Sequence, residues 1–156
     1  MKVFKFGGAS VKDATGVKNL SSIVHQQQGQ LIVVVSAMGK TTNLLETLCN
    51  AYFHQDPQAT AIMKELKNFH LDIVNALFPL NDSVYKHLEE LFTNLENILS
   101  SESSLCYDYE YDRIISFGEL ISTTIISDYL NMEGIENQFI DIRKFLKTDQ
   151  NYRNAN

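Results

Sequence analysis

Leu31-Ile32-Val33-Val34-Val35 is an unbroken apolar run dominated by β-branched side chains. Such side chains lose rotamer freedom in a helix but fit a pleated strand. A strand that is apolar on both sides needs cover on both sides, and a parallel sheet with helices above and below supplies it. Upstream, Val3 to Gly8 is a shorter apolar run closed by a glycine pair, which reads as a strand entering a tight turn. Between the two runs Val17, Leu20, Ile23 and Val24 recur at helical spacing, with a stop near Gly29. Strand, helix and strand make a βαβ unit, normally right-handed.

The middle of the chain is helical. Ser10-Val11-Lys12-Asp13 reads as the capping box of the first helix, and Asn43 with Glu46 as the cap of the second. Asp56-Pro57 offers an N-cap followed by proline at the first helical position. Ile62, Leu66, Phe69, Ile73 and Leu77 then mark one face as far as Pro79, and Val84, Leu88, Leu91, Leu95 and Ile98 mark the next. After the polar break Ser100 to Ser104, a helix is predicted over about Tyr109 to Met132, ended by Gly134, and a third strand over Gln138 to Ile142. Lys147 to Asn156 is polar and carries no closing element. The class is helix-rich α/β. Three strands are few for a covered parallel sheet, so the chain reads as unfinished.

Composition removes several functions. Hydrophobic residues are 44% and charged residues 21% of the 156, enough to bury a core and unlike a disordered chain. The net charge of −6 leaves no general basic surface for nucleic acid, so an anionic ligand needs a local positive site. No apolar run approaches the ~18 residues of a membrane span, and the opening residues lack a signal-peptide apolar region. Cys49 and Cys106 are too few for a disulfide scaffold and read as thiols of a reducing compartment. The expectation is a cytoplasmic chain without nucleic-acid or membrane partners. His25, His54, His70 and His87 fall on separate helices, away from metal-ligand spacing, and read as surface or half-buried side chains. Asp108, Glu110 and Asp112 alternate with tyrosines but lack the glycine and terminal Glu of a calcium loop.

Three segments suit chemistry. In Lys5-Phe6-Gly7-Gly8-Ala9-Ser10 a strand ends, two glycines permit close backbone approach and a helix begins, the arrangement in which backbone N–H groups bind phosphate. Lys5 adds a full charge; the same residues also suit an ordinary βα turn. In Val35-Ser36-Ala37-Met38-Gly39-Lys40-Thr41-Thr42-Asn43 the Gly-Lys-Thr run imitates a P-loop, but the required glycine five residues earlier is Val34, inside the strand. What remains is a small-residue loop at the carboxyl end of a strand, where α/β folds bind ligands. Ser36 and Thr42 there could donate to a ligand or cap the next helix. In Phe117-Gly118-Glu119-Leu120 a glutamate lies at the margin of an apolar helical arc beside a glycine, suited either to an ammonium partner or to solvent.

Together these segments resemble the aspartate kinase branch of the amino acid kinase family. Lys5-Phe6-Gly7-Gly8-Ala9-Ser10-Val11 is similar to the family's Lys-Phe-Gly-Gly-Thr-Ser-Val signature, with Ala9 replacing a threonine. Val34-Val35-Ser36-Ala37-Met38-Gly39, continuing to Thr42-Asn43-Leu44-Leu45, resembles the second motif, and Ser116-Phe117-Gly118-Glu119-Leu120-Ile121-Ser122 the third. Asp141-Ile142-Arg143 matches the segment after the following strand. Residues from about 50 to 106 carry no transferable motif and are read as a helical insert.

The resemblance implies a three-layer α/β/α fold with a mainly parallel sheet, incomplete within these 156 residues. It implies transfer of phosphate from ATP, with Mg²⁺ carried mainly on the nucleotide, to the β-carboxylate of L-aspartate. The product is 4-phospho-L-aspartate, on the route to lysine, threonine and methionine. Lys5 would be the catalytic lysine. Lys5, Phe6, Gly7, Gly8 and Ser10 would bind the ATP phosphates, and Ser36, Thr42 and Glu119 the aspartate. The rest of the kinase domain and the regulatory ACT domains would follow elsewhere, the full-length enzyme would be a homo-oligomer, and these residues alone would be inactive. The alternatives are another amino acid kinase, acting on acetylglutamate or glutamate, and a non-catalytic assembly module using the helical insert.

Overall fold

The computed structural model describes residues 1–149 and 151–153. Two strands, β1 (Lys2–Phe6) and β2 (Leu31–Val35), pair in parallel, with Lys2 beside Leu31 and Phe6 beside Val35. A 3-10 turn (Gly8–Val11) and helix α1 (Ala14–His25) cross between them. Four helices follow: α2 (Thr41–Phe53), α3 (Ala59–Leu77), α4 (Ser83–Leu99) and α5 (Tyr107–Met132). A 3-10 turn over Ile142–Lys144 lies beyond them.

The core is built by the helices. Leu45, Leu48, Leu66, Leu88, Phe92, Leu95, Ile114, Ile121 and Ile125 are fully buried, on the apolar arcs that the sequence marks. The longest helix, α5, packs on α2, on α4 and against β2, so it joins the helical core to the sheet. Phe6, Leu31, Val33 and Val35 pack from the strands onto this core. The opposite strand face is open: Val3 is 61%, Ile32 45% and Val34 45% exposed. The strand is apolar on both sides as read, but only one side is covered among the described residues.

Several local readings change. The cap of α1 is Asp13, whose Oδ1 accepts the Gly16 N–H at 2.8 Å. Ser10 is held inside the tight 3-10 turn, its N–H on the Gly7 carbonyl at 2.9 Å, so the capping box does not form around it. Helix α2 starts at Thr41 without a side-chain cap, which leaves Asn43 and Glu46 inside it. Asp56 does receive the Gln58 N–H at 2.9 Å, and α3 proper begins two residues beyond Pro57. Gln138 to Ile142 is not a strand: a strand needs a ladder partner, and β1 and β2 pair only with each other. Gly134 closes α5 as expected, at φ +78° in the left-handed region. No helix among the described residues is long and apolar enough to cross a membrane.

Candidate active site

The three sequence segments meet at the carboxyl ends of the parallel strands. The ladder extends past β2 through the Ser36 N–H, which donates to the Phe6 carbonyl at 3.1 Å. The two loops then close on each other, with the Gly39 N–H donating to the Gly8 carbonyl at 3.0 Å. This contact depends on a missing side chain. A Cβ at Gly8 would stand 2.5 Å from the Ala37 carbonyl oxygen, closer than real Cβ atoms approach.

Helix α5 fixes the second loop from the other side. Glu119 Oε1 accepts the Ala37 N–H at 3.3 Å, and Ser122 Oγ donates to the Ser36 carbonyl at 2.8 Å. Gly118 makes this approach possible, since a Cβ there would lie 2.8 Å from the Ala37 Cβ and 3.2 Å from Leu45 Cδ1. Ala37, Met38 and Gly118 are buried, whereas Glu119 is exposed. One carboxylate oxygen therefore braces the loop while the group still faces solvent. No cation among the described residues pairs with Glu119.

The remaining predicted residues take distinct positions. Lys5 lies in β1 opposite Val34 and is exposed, on the same open strand face as Val3. No hydrogen bond or ion pair engages its ammonium among the described residues. Phe6 faces the other way and packs on the core. Gly7 borders open space, with no atom within 4 Å of where a Cβ would stand, and Ser10 is exposed on the 3-10 turn. Ser36 and Thr42 are half-buried at the two ends of the loop. The structure thus brings Gly8, Ser36 and Glu119 into one bonded unit, while Lys5 is exposed on the open face of β1.

Residues to which the sequence assigns no role in the site support this unit. Thr41, 2% exposed, shares a 3.2 Å hydrogen bond with Nε2 of the fully buried His70. This corrects the expectation of a surface or half-buried His70; its position on the arc with Leu66 and Ile73 is the available signal. Arg143 donates to Ser116 Oγ at 3.2 Å and forks onto Asp141, tying the fourth matching segment to the start of the third. The Arg143 guanidinium holds the Asp141 carboxyl below the usual carboxylate range. No group of three or more His, Cys, Asp or Glu side chains that could hold a metal occurs among the described residues.

The model of the amino acid kinase family matches residues 1–156. The chain belongs to the amino acid kinase family. Within it, aspartokinase 2 of Arabidopsis thaliana chloroplasts is 32% identical over 139 residues, covering 85% of this chain and 25% of the relative. Lysine-sensitive aspartokinase 3 of Escherichia coli is 26% identical over 154 residues, covering 98% of this chain and 33% of the relative. The crystal structure of E. coli aspartokinase III with lysine and aspartate (T-state) superposes with a TM-score of 0.88 at 26% identity, over 100% of this chain and 34% of that one. The same enzyme with aspartate and ADP (R-state) gives 0.87 over 99% and 34%. This amino acid kinase chain therefore has the aspartokinase α/β fold, and it spans about a third or less of the length of these relatives.

Proposed function

We propose that the chain is the N-terminal part of an aspartate kinase, which transfers the γ-phosphoryl group of ATP to the β-carboxylate of L-aspartate, giving 4-phospho-L-aspartate for lysine, threonine and methionine synthesis. One observation carries the reading: the Gly8 turn, the Ser36 loop and Glu119 are bonded into one unit at the carboxyl edge of the parallel strands. That the E. coli enzyme of the same fold is described with aspartate and ADP supports it.

Phosphoryl transfer asks for positioning and charge stabilisation rather than covalent chemistry. The Gly7–Gly8 turn, open above Gly7, admits phosphate oxygens to backbone N–H groups, with Phe6 and Ser10 flanking it. Lys5 supplies the charge that an acidic chain must place locally. Ser36 and Thr42 offer hydroxyls to aspartate. Glu119, braced on the Ala37 N–H, keeps its carboxylate set to pair with the substrate α-ammonium. The acceptor carboxylate is already a nucleophile, so no strong base is needed. The described side chains offer no cage for Mg²⁺; in this reading the cation is held by nucleotide oxygens, and no step here depends on a protein ligand to it.

The test is ADP release with a panel of acceptors, using a polypeptide in which this chain is joined to the rest of the kinase domain. L-aspartate should be the accepted substrate; preference for acetylglutamate or glutamate would move the protein to another branch of the family. Lys5→Ala should lower turnover by about 10²-fold or more, as loss of a preorganised charge donor does, with an unchanged unfolding midpoint. The 156 residues alone should not turn over, and aspartate-dependent transfer by them would overturn the reading that they are inactive without the rest of the kinase domain.

A further inference from the structure

We propose that His70, acting through Thr41, is a positioning residue for the loop between β2 and α2, and so for Ser36 and Thr42. The inference rests on the aspartate-kinase reading for its consequence in catalysis, but its structural basis is separate.

His70 lies in α3, in the stretch without family motifs, and is 0% exposed. Its ring makes two hydrogen bonds. Nδ1 lies 2.8 Å from the Leu66 carbonyl, which can only accept, so Nδ1 carries the proton. The neutral ring then has a bare Nε2, and Thr41 Oγ1 donates to it. Burial keeps the ring neutral by pushing its pKa from 6.5 down to about 4. The ring is held edge-on by Phe69, with Phe92 tilted beside it, so the acceptor does not swing.

Thr41 is the first residue of α2, and its own N–H donates to the Met38 carbonyl at 3.0 Å. The residue before His70 reaches the same segment: Phe69 Cζ lies 3.4 Å from the place of a Cβ on Gly39. The loop is thus held on three sides. Gly8 holds Gly39, α5 holds Ser36 and Ala37, and the Phe69–His70 pair holds Gly39 and Thr41. Helix α2 has no side-chain cap, so the His70 bond is the side-chain anchor of its first residue. A loop fixed to a fraction of an ångström is what oriented hydroxyls require for phosphoryl transfer. A threonine turned toward a bare ring nitrogen is an apt fixing device, because an unmet hydroxyl at such depth is costly.

Two measurements test this. Amide hydrogen exchange reports local opening of the loop. Thr41→Val and His70→Leu should each speed exchange at Gly39 and Thr41 by about tenfold, the size of one hydrogen bond, relative to amides of α4. Thr41→Ser and His70→Gln, which keep a donor and an acceptor, should restore slow exchange. In the assembled kinase the first pair should raise KM for aspartate by about tenfold or lower kcat, with KM for ATP unchanged, and the second pair should reverse this. Uniformly faster exchange, no change, or failure of the conservative variants to rescue would overturn the inference. A parent enzyme without aspartate-dependent transfer would instead overturn the functional reading, and the exchange pattern would decide the role of His70.

Discussion

At the residue scale, neighbouring glycines have different reasons to be glycine. Gly8 has the Ala37 carbonyl oxygen 2.5 Å from any added Cβ, so Gly8→Ala must separate the two loops. A loss of about 1–3 kcal/mol is expected from such overpacking, read as a lower urea midpoint. Gly7 has φ −75° and ψ 162°, which any residue adopts, and open space around it. Gly7→Ala should leave folding stability unchanged within about 0.5 kcal/mol, yet weaken nucleotide binding in the assembled kinase, because the proposed phosphate approach is over this residue. His70 adds a pH dependence. Its pKa falls from 6.5 to about 4 on burial, so below 6.5 the unfolded chain binds a proton that the folded chain refuses. Stability from this group is complete above 6.5 and is lost as pH falls toward 4, by roughly 2–3 kcal/mol near about pH 4.5. Urea unfolding of the parent and His70→Gln near about pH 7 and about pH 4.5 should show a smaller drop in the variant.

At the element scale, the starts of helices are less legible in the sequence than their faces. Asp13 caps α1 and Ser10 does not. Asp13→Ala should therefore cost about 1 kcal/mol by chemical denaturation, and Ser10→Ala much less. Both residues are ordinary cap types; which one serves depends on where the 3-10 turn after Gly8 releases the chain. The strand expected over 138–142 fails to form for a related reason. Phe139, Ile140 and Ile142 have strand-like chemistry, but Ile140 is 59% and Ile142 56% exposed, and among the described residues neither β1 nor β2 pairs with them. Propensity describes what a segment can do, while a ladder also requires a neighbour.

At the scale of the whole molecule, the open strand face is the main liability. Val3, Ile32 and Val34 form exposed apolar surface beside Lys5, and exposed apolar surface promotes association. Val34→Lys should reduce concentration-dependent self-association of the 156-residue chain in sedimentation, with little change in its thermal midpoint. A variant that associates as strongly as the parent would show that this face is not responsible. The helical core of α2 to α5 does not depend on that face, and this separation explains why, with two strands among the described residues, Leu45, Leu88 and Ile121 are still completely buried.

The order of the motifs and the period of the apolar positions are properties of the sequence alone. They identify the βαβ unit and the helical arcs, because side-chain spacing and backbone reach are local properties; the residues proposed to touch substrate follow from the resemblance of three segments to family motifs. Tertiary structure decides what those residues rest on. It sets Gly118 against Ala37, Glu119 on the Ala37 N–H, and Thr41 on a histidine 29 residues away. It also leaves one face of β2 open. These are consequences of how helices pack, and no spacing along the chain encodes them, since packing joins residues whose sequence separation is arbitrary.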